Sequence, residues 1–310
     1  MNYYVGIDVG GTNVKYGLLD EAGQILHHDK VKTANQGEKI IEAIAEIVTN
    51  YQKEYPIKAV GVSVPGVVED DGFMTTGGAI FDFYGVHLQN ILTERLALPV
   101  FVENDANSAA LAEKWIGAGQ GAKHSLCVVV GTGIGGGIII NHQLFRGAHA
   151  TAGEFGFMIV EPIENQDTRM ATLSLTGSVQ CGLVLKYLDR KDLTDENGLD
   201  GETIFQMAAA GDLLAEDVID IFYERLAIGI FNMATAFDPE IILIGGAISG
   251  NPEFIQELQQ RVSRLKNDHR DMKQVTLASI VPCEFLNNAG IIGAVYKAIS
   301  EIQTEERVRG

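Results

Sequence analysis

The stretch VVVGTGIGGGIIIN, residues 128–141, decides the fold. Gly131, Gly133 and Gly136 have the GxGxxG spacing of a dinucleotide-binding turn. That turn requires a helix directly after its glycines. Here Ile138, Ile139 and Ile140 follow instead, and consecutive β-branched side chains favour a strand. No GK[ST] closes the loop, so it is not a Walker A turn either. The stretch therefore predicts strand, glycine tip, strand. Such a tip can still hold phosphate, because glycines let successive N–H groups point one way and Thr132 adds a hydroxyl.

The same unit stands at the start of the chain. GIDVGGTNVKYGLLDEAGQIL (6–26) also reads strand, glycine turn, strand, and both stretches place Gly-Thr in the first turn. Asp8, Gly10, Gly11, Thr12 and Lys15 supply the parts of a phosphate loop here. Asp8, at a strand end, could hold Mg2+ through water, since Mg2+ favours carboxylates and keeps several of its waters. One such loop would read as an ordinary hairpin. Two in equivalent places, plus the pair Gly245-Gly246 after a buried apolar run, point to ligand loops. Lys15 reads equally as a phosphate contact and as a solvated strand lysine.

Around these loops the pattern alternates. Strand patterns at 3–9, 14–20 and 24–33 are followed by a helix pattern at 37–55, whose apolar residues 40, 41, 44, 47, 48 and 51 share one face. Strand (58–68), helix (88–97) and strand (99–104) come next, and the order begins again at 125–147. Helix patterns at 214–237, 254–265 and 287–303 flank a strand within 239–249. The fold class is α/β, a duplicated two-lobe molecule with a central cleft. Residues 1–118 plus 290–310 are expected to form a smaller N-terminal lobe, and 119–289 a larger C-terminal lobe. Lobe closure around a ligand is expected, with hinges near 117–121 and 287–290.

Composition removes several function classes. Lys plus Arg is 23 against 41 Asp plus Glu, a net charge of −18 that repels a nucleic-acid backbone. Cys127, Cys181 and Cys283 are few and far apart, which argues against a disulfide frame or a cysteine-rich zinc site. MNYYVGIDVGG lacks the basic lead and apolar core of a secretory signal, and no apolar run is long enough to span a membrane. A soluble cytoplasmic protein is expected.

The stretch FVENDANSAALAEKW (101–115) crowds Glu103, Asn104, Asp105, Asn107 and Ser108 into the mouth of a strand-to-helix turn. Helix capping needs only one such residue. The excess suggests a site.

Taken together, the chain resembles the ROK-family sugar kinases of the actin-like ATPase (ribonuclease H-like) fold. The resemblance rests on DVGGTNVK (8–15), VSVPGVV (62–68), VENDANSAALAE (102–113), GTGIGGG (131–137), GEFG (153–156) and ILIGGAIS (242–249), in the family's order and over nearly the whole chain. TTGGAIFDF (75–83) and GEFGFM (153–158) are similar to the β-glucoside kinase branch. The resemblance implies that Asp105 is the general base for a sugar hydroxyl attacking the γ-phosphate of ATP, and that Asn104 bonds sugar hydroxyls. A carboxylate at a helix N-terminus tends to stay ionised, which weakens it as a base. In a loose phosphoryl-transfer transition state the proton can leave late, so orientation matters more. The resemblance also implies that Asp8, Gly10, Gly11, Thr12, Thr132 and Gly133 clamp the ATP phosphates with Mg2+, and that Gly245, Gly246 and Ala247 lie under adenosine. Glu154 would accept bonds from sugar hydroxyls, or is a surface loop acid. Gly66 would let the sugar approach backbone, or is only the turn after Pro65. A homodimer is expected on the same ground.

One departure bears on substrate. Many family members carry a zinc motif, CxCGxxGCxE, after GExGH. Here GEFGF is followed by MIVEPIENQDTRMATLSLTGS, without those cysteines, and Phe157 stands in the histidine's place. No zinc is expected. Phe157 cannot bond a free O1 hydroxyl but its ring can pack on a sugar or aglycone. The expected substrate is a β-glucoside or a disaccharide such as cellobiose, phosphorylated at the C6 hydroxyl. Phe157 could instead fill volume vacated by the zinc loop. Glucokinase and N-acetylmannosamine kinase are the alternative activities. Sugar-responsive repressors of the family carry an added N-terminal helix-turn-helix domain, which is not expected here because the phosphate loop already begins at Asp8. A sugar sensor or filament-type ATPase is the remaining rival class.

Overall fold

The computed structural model describes residues 2–163, 167–194 and 198–309. Residues 164–166 of the stretch after GEFGF, and residue 310 of the tail, lie outside the described residues. In chain order the first elements are β1 (Tyr3–Val9), β2 (Asn13–Asp20), β3 (Ile25–Lys32), α1 (Gly37–Gln52), β4 (Ile57–Val64), β5 (Phe73–Met74), β6 (Val86–His87), α2 (Leu88–Leu96), β7 (Val100–Asn104) and α3 (Asp105–Ile116). There follow β8 (Ser125–Val130), β9 (Ile134–Ile140), β10 (Gln143–Leu144), α4 (Leu173–Gly177), α5 (Lys186–Arg190), α6 (Gly201–Ala209) and α7 (Leu213–Phe237). The series ends with β11 (Ile241–Gly245), α8 (Pro252–Asp268), β12 (Ser279–Pro282) and α9 (Ala289–Arg309).

The first sheet has the order β3-β2-β1-β4-β7, antiparallel across its first three strands and parallel across the last three. The second has the order β10-β9-β8-β11-β12, with β8, β11 and β12 parallel. Each sheet thus begins as a meander and continues as a parallel sheet whose strands are joined through helices, which is the same plan used twice. The GxGxxG stretch forms the β8–β9 hairpin, with Gly131–Gly133 as its tip, so the β-branched run behaves as a strand.

The chain divides into two compact units. One comprises Met1–Gly121, Gly137–Ala152 and Asn287–Gly310, and the other Ala122–Gly136 and Gly153–Leu286. The sequence reading kept all of 119–289 in one lobe, whereas Gly137–Ala152 falls in the first unit. The reason is steric. A Cβ on Gly137 would stand 2.5 Å from the Ala110 Cβ and 3.2 Å from the Ala106 carbonyl oxygen, so glycine lets this strand lie directly on α3.

In the first unit, Val5, Ile7, Val60 and Val62 share a core with Ile40, Ile41, Ile44, Ile47 and Val48 of α1. The opposite face of the sheet is glycine at Gly6 and Gly61, as the alternation of a strand requires. A Cβ at Gly61 would stand 1.9 Å from the Ala294 carbonyl oxygen, and one at Gly6 2.6 Å from that of Ile291. On α9 itself, a Cβ at Gly293 would stand 1.8 Å from the Ser108 carbonyl oxygen of α3. Backbone-to-backbone packing thus seats α9 between the sheet and α3.

In the second unit the long α7 starts at Asp212, whose carboxylate accepts the N–H groups of Leu214 (2.9 Å) and Ala215 (3.1 Å) and the Tyr187 hydroxyl (2.7 Å). The Tyr187 hydroxyl, the N–H groups and Lys191 hold its carboxyl down at about 2. A carboxyl depressed on folding stabilises the fold above its unfolded value and loses that contribution as pH falls through the folded one. Asp212→Ala is therefore expected to lower stability to urea at pH 7, with the deficit shrinking between about pH 4 and pH 2. Equal deficits at pH 7 and pH 2 would contradict this.

Candidate active site

In the first unit, β1 delivers Asp8 and β2 places Lys15 directly opposite it in register. The Lys15 ammonium lies 3.9 Å from the Asp8 carboxylate and donates to the Asn287 carbonyl at 3.3 Å. It is thus turned toward the carboxylate rather than simply solvated. Ser63, on the neighbouring β4, donates its hydroxyl to Asp8 at 2.9 Å. Gly290, in the first turn of α9, comes so close that a Cβ there would be 2.4 Å from Asp8 Oδ1. Burial pushes the Asp8 carboxyl above its usual range, against the Ser63 bond and the Lys15 charge.

The β1–β2 turn is fixed from one side. Gly10 N–H donates to the Asn13 carbonyl (3.0 Å), and Thr33 donates its hydroxyl to the Gly10 carbonyl (2.6 Å) and its N–H to that of Thr12 (3.0 Å). Gly11 and Thr12 are exposed, with open space where a Gly11 side chain would be.

The END stretch separates into three roles. Glu103 is fully buried and ion-paired to Arg146, and its Oε1 accepts the Asn104 N–H (2.9 Å) and the Asn107 amide (3.1 Å). Asn104 caps α3 by accepting the Asn107 N–H at 3.0 Å. Its amide donates to the Gly66 carbonyl (2.8 Å) and to Asp105 Oδ1 (3.1 Å). Both amide hydrogens are thereby used, and only Oδ1 retains capacity for another bond. Asp105 is exposed on the first turn of α3, with Oδ1 also accepting the Ala106 N–H at 2.8 Å. Gly66 has φ of +101°, and a Cβ there would be 2.2 Å from the Thr76 carbonyl oxygen, so glycine is needed for the close packing of this turn against residues 76–78. The first unit thus groups Asp8 with Lys15, and Gly66 with Asn104 and Asp105.

In the second unit the β8–β9 tip is tied to the segment 174–181. Ser174 accepts the Ile134 N–H (2.8 Å), Ser178 donates to the Thr132 carbonyl (3.1 Å), and Gln180 N–H donates to that of Gly131 (3.2 Å). Thr132 and Gly133 remain exposed. Gly136 serves packing: a Cβ there would be 2.3 Å from the Phe155 ring. After β11, Gly246 has φ of +91°, and its Cβ would be 2.1 Å from the Val130 carbonyl oxygen. Gly245 packs against Val129 and Cys283. A cavity of about 620 Å³ is lined by Gly131 and Thr132 on one side, Ala247 and Ile248 on another, and by Gln180 and Phe205. That size is in the range of small-molecule sites. Gln180 and Phe205 were not legible as site residues. They sit on a π-helical turn, Val179–Leu185, and on α6, neither of which carries a motif.

Glu154 and Phe157 bracket a 3-10 turn, Phe155–Phe157. Glu154 is half-buried, and burial raises its carboxyl above the usual range. Phe157 is 74% exposed, so it does not fill a vacated volume. Among the described residues no group of three or more His, Cys, Asp or Glu is placed to hold a metal ion.

Two α/β units of repeated topology, each presenting a glycine turn, define an actin-like ATPase fold. Comparison with known proteins places it further. The model of the ROK family matches residues 4–301, and the chain belongs to that family. It is 36% identical over 303 residues to the beta-glucoside kinase of Listeria monocytogenes, covering 96% of this chain and 98% of that one. Among solved structures, a ROK family protein from Streptococcus pneumoniae in complex with sucrose is 30% identical with a TM-score of 0.86, over 97% of this chain and 99% of that one. A ROK family glucokinase from Streptomyces griseus in complex with glucose and AMPPNP is 30% identical with a TM-score of 0.79, over 94% and 97%.

Proposed function

We propose that the protein transfers the γ-phosphoryl group of ATP to the C6 hydroxyl of a sugar, and that its preferred substrate is a β-glucoside or a disaccharide such as cellobiose. The observation that carries the reading is Asp105, an exposed carboxylate oriented by the Asn104 amide and the Ala106 N–H. Asp105 accepts the proton of the attacking hydroxyl. Asn104 holds that carboxylate in place and offers Oδ1 to the sugar, Glu154 accepts sugar hydroxyls, and the backbone at Gly66, bonded to the Asn104 amide, borders the sugar. Asp8, Gly10, Gly11, Thr12 and Lys15 serve the phosphates, and so do Thr132 and Gly133. Ala247, in the lining of the 620 Å³ cavity, serves adenosine together with Gly245 and Gly246 just before it. Mg2+ near Asp8 neutralises phosphate charge when bound. The glucokinase holding a nucleotide analogue and the kinase names among the relatives support ATP as donor.

Substrate choice rests on Phe157. An exposed ring where the family has a zinc-ligand histidine favours a substituent at C1 over a free O1 hydroxyl. The sucrose bound by the S. pneumoniae relative is in line with a disaccharide. No helix among the described residues is long and apolar enough to cross a membrane, and action in the cytoplasm, where ATP is made available, is part of the proposal. ADP release should be measured with glucose, N-acetylmannosamine, cellobiose and aryl β-glucosides. The highest kcat/KM is expected for cellobiose or an aryl β-glucoside, with Phe157→His shifting preference about tenfold toward free glucose. A wild type that strongly prefers free glucose, N-acetylmannosamine or fructose ends the β-glucoside part. ATP hydrolysis that needs no sugar ends the kinase part.

A further inference from the structure

The loop between β5 and β6 carries two exposed aromatic rings that phosphoryl transfer itself does not use. Phe81 is 80% exposed and Tyr84 45%. Their rings are stacked, with centroids 5.8 Å apart and planes 21° from parallel. The loop that presents them is fixed. Phe83, between them in sequence, is 1% exposed and belongs to the core. Asp82 accepts the Gly37 N–H at 2.7 Å and so is spent at the start of α1. Ile80 N–H donates to the Gly77 carbonyl at 2.8 Å and Phe83 N–H to that of Ile80 at 3.0 Å.

The loop is also placed. The Tyr84 hydroxyl donates to the Gly78 carbonyl at 3.3 Å. Gly78 N in turn lies 2.7 Å from where a Gly66 Cβ would be. Gly66 is the residue whose carbonyl accepts the Asn104 amide, and that amide also holds Asp105. The aromatic pair is therefore linked to the proposed general base through Gly78, Gly66 and Asn104. Its surface is flat and without a charge of its own, so it suits a neutral ligand with an apolar face. A pyranose ring offers such a face in its axial C–H groups, and an aryl group offers two.

We propose that Phe81 and Tyr84 form the platform for the second ring of the substrate, the sugar or aryl group carried on C1 of the glucoside. The assignment rests on the kinase reading above. It makes the first unit, and not Phe157 alone, a determinant of substrate class. Stacking on this platform lowers KM for two-ring substrates and leaves the reacting hydroxyl at Asp105 unchanged.

The test compares wild type, Phe81→Ala, Tyr84→Ala and Phe81→Trp on cellobiose, 4-nitrophenyl β-glucoside and glucose. Each alanine variant is expected to lose about 10- to 100-fold in kcat/KM on the two-ring substrates, mainly through KM. Glucose, which has no second ring, is expected to change by less than about twofold, and Phe81→Trp to retain two-ring activity. Equal losses on glucose and cellobiose, no loss on either, or a changed oligomeric state of Phe81→Ala would overturn the platform. The two levels of the proposal separate cleanly. A wild type inactive on every sugar defeats the kinase reading. One that phosphorylates cellobiose equally well with and without Phe81 defeats the platform alone, and one that accepts only glucose defeats the platform together with the β-glucoside part of the reading.

Discussion

Asp105→Asn is expected to lower kcat about 10²- to 10⁴-fold on every sugar accepted, with nucleotide and sugar KM values near those of wild type. The substitution is close to isosteric. Asn keeps an Oδ1 that can accept the Asn104 amide (3.1 Å) and the Ala106 N–H (2.8 Å), so the side chain should stay where it is. What it cannot do is receive a proton. The loss then measures proton acceptance and not the position of a loop. Because orientation persists and the proton can leave late, the lower end of that range is favoured over a complete loss. Turnover within about threefold of wild type in a variant of unchanged thermal stability would remove Asp105 from the chemistry.

The second large effect concerns stability. Glu103 has no solvent exposure, and Arg146, 12% exposed, is its charged partner. Arg146 also donates to the Val68 carbonyl at 3.3 Å and pairs with Asp70 at 2.9 Å. Arg146→Met leaves a buried carboxylate without a counter-charge, which costs about 3–5 kcal/mol. The melting temperature should fall by about 6–20 °C at the 2–4 °C per kcal/mol typical of domains of this size. Adding Glu103→Gln should restore most of the loss, since a neutral amide has no charge to compensate while its oxygen still accepts from Asn104 and Asn107. Calorimetry on the single and double variants decides it. A double variant no more stable than Arg146→Met would show that the arginine acts through Val68 and Asp70 and not through Glu103.

These two carboxylates also mark the limit of sequence reading. ENDAN announced a polar cluster, but adjacent letters do not say which side chain faces inward. The pleat of β7 turns Glu103 into the core and the start of α3 turns Asp105 outward, and the partner that distinguishes them, Arg146, is far along the chain. The glycine hairpins were legible because β-branched runs beside short glycine turns leave few alternatives. α1, α7 and α8 were legible because their apolar residues keep a helical period over many turns. The segment 167–190 was not. Its helices are short and interrupted by a π-helical turn, so no period accumulates. The unit boundary at Gly137 was hidden for a different reason: it depends on how closely a strand approaches α3, which a glycine permits but does not announce.

The seat of α9 has a consequence for biosynthesis. Gly6 and Gly61 are translated about 230 or more residues before the helix that covers them, which carries Ile291 and Ala294. Until then the nascent sheet holds a bare groove on one face, with Asp8 at its rim still lacking Gly290. The intervening unit has its own core and can mature while this one waits. The sheet that holds Asp8 is thus begun well before it can be completed.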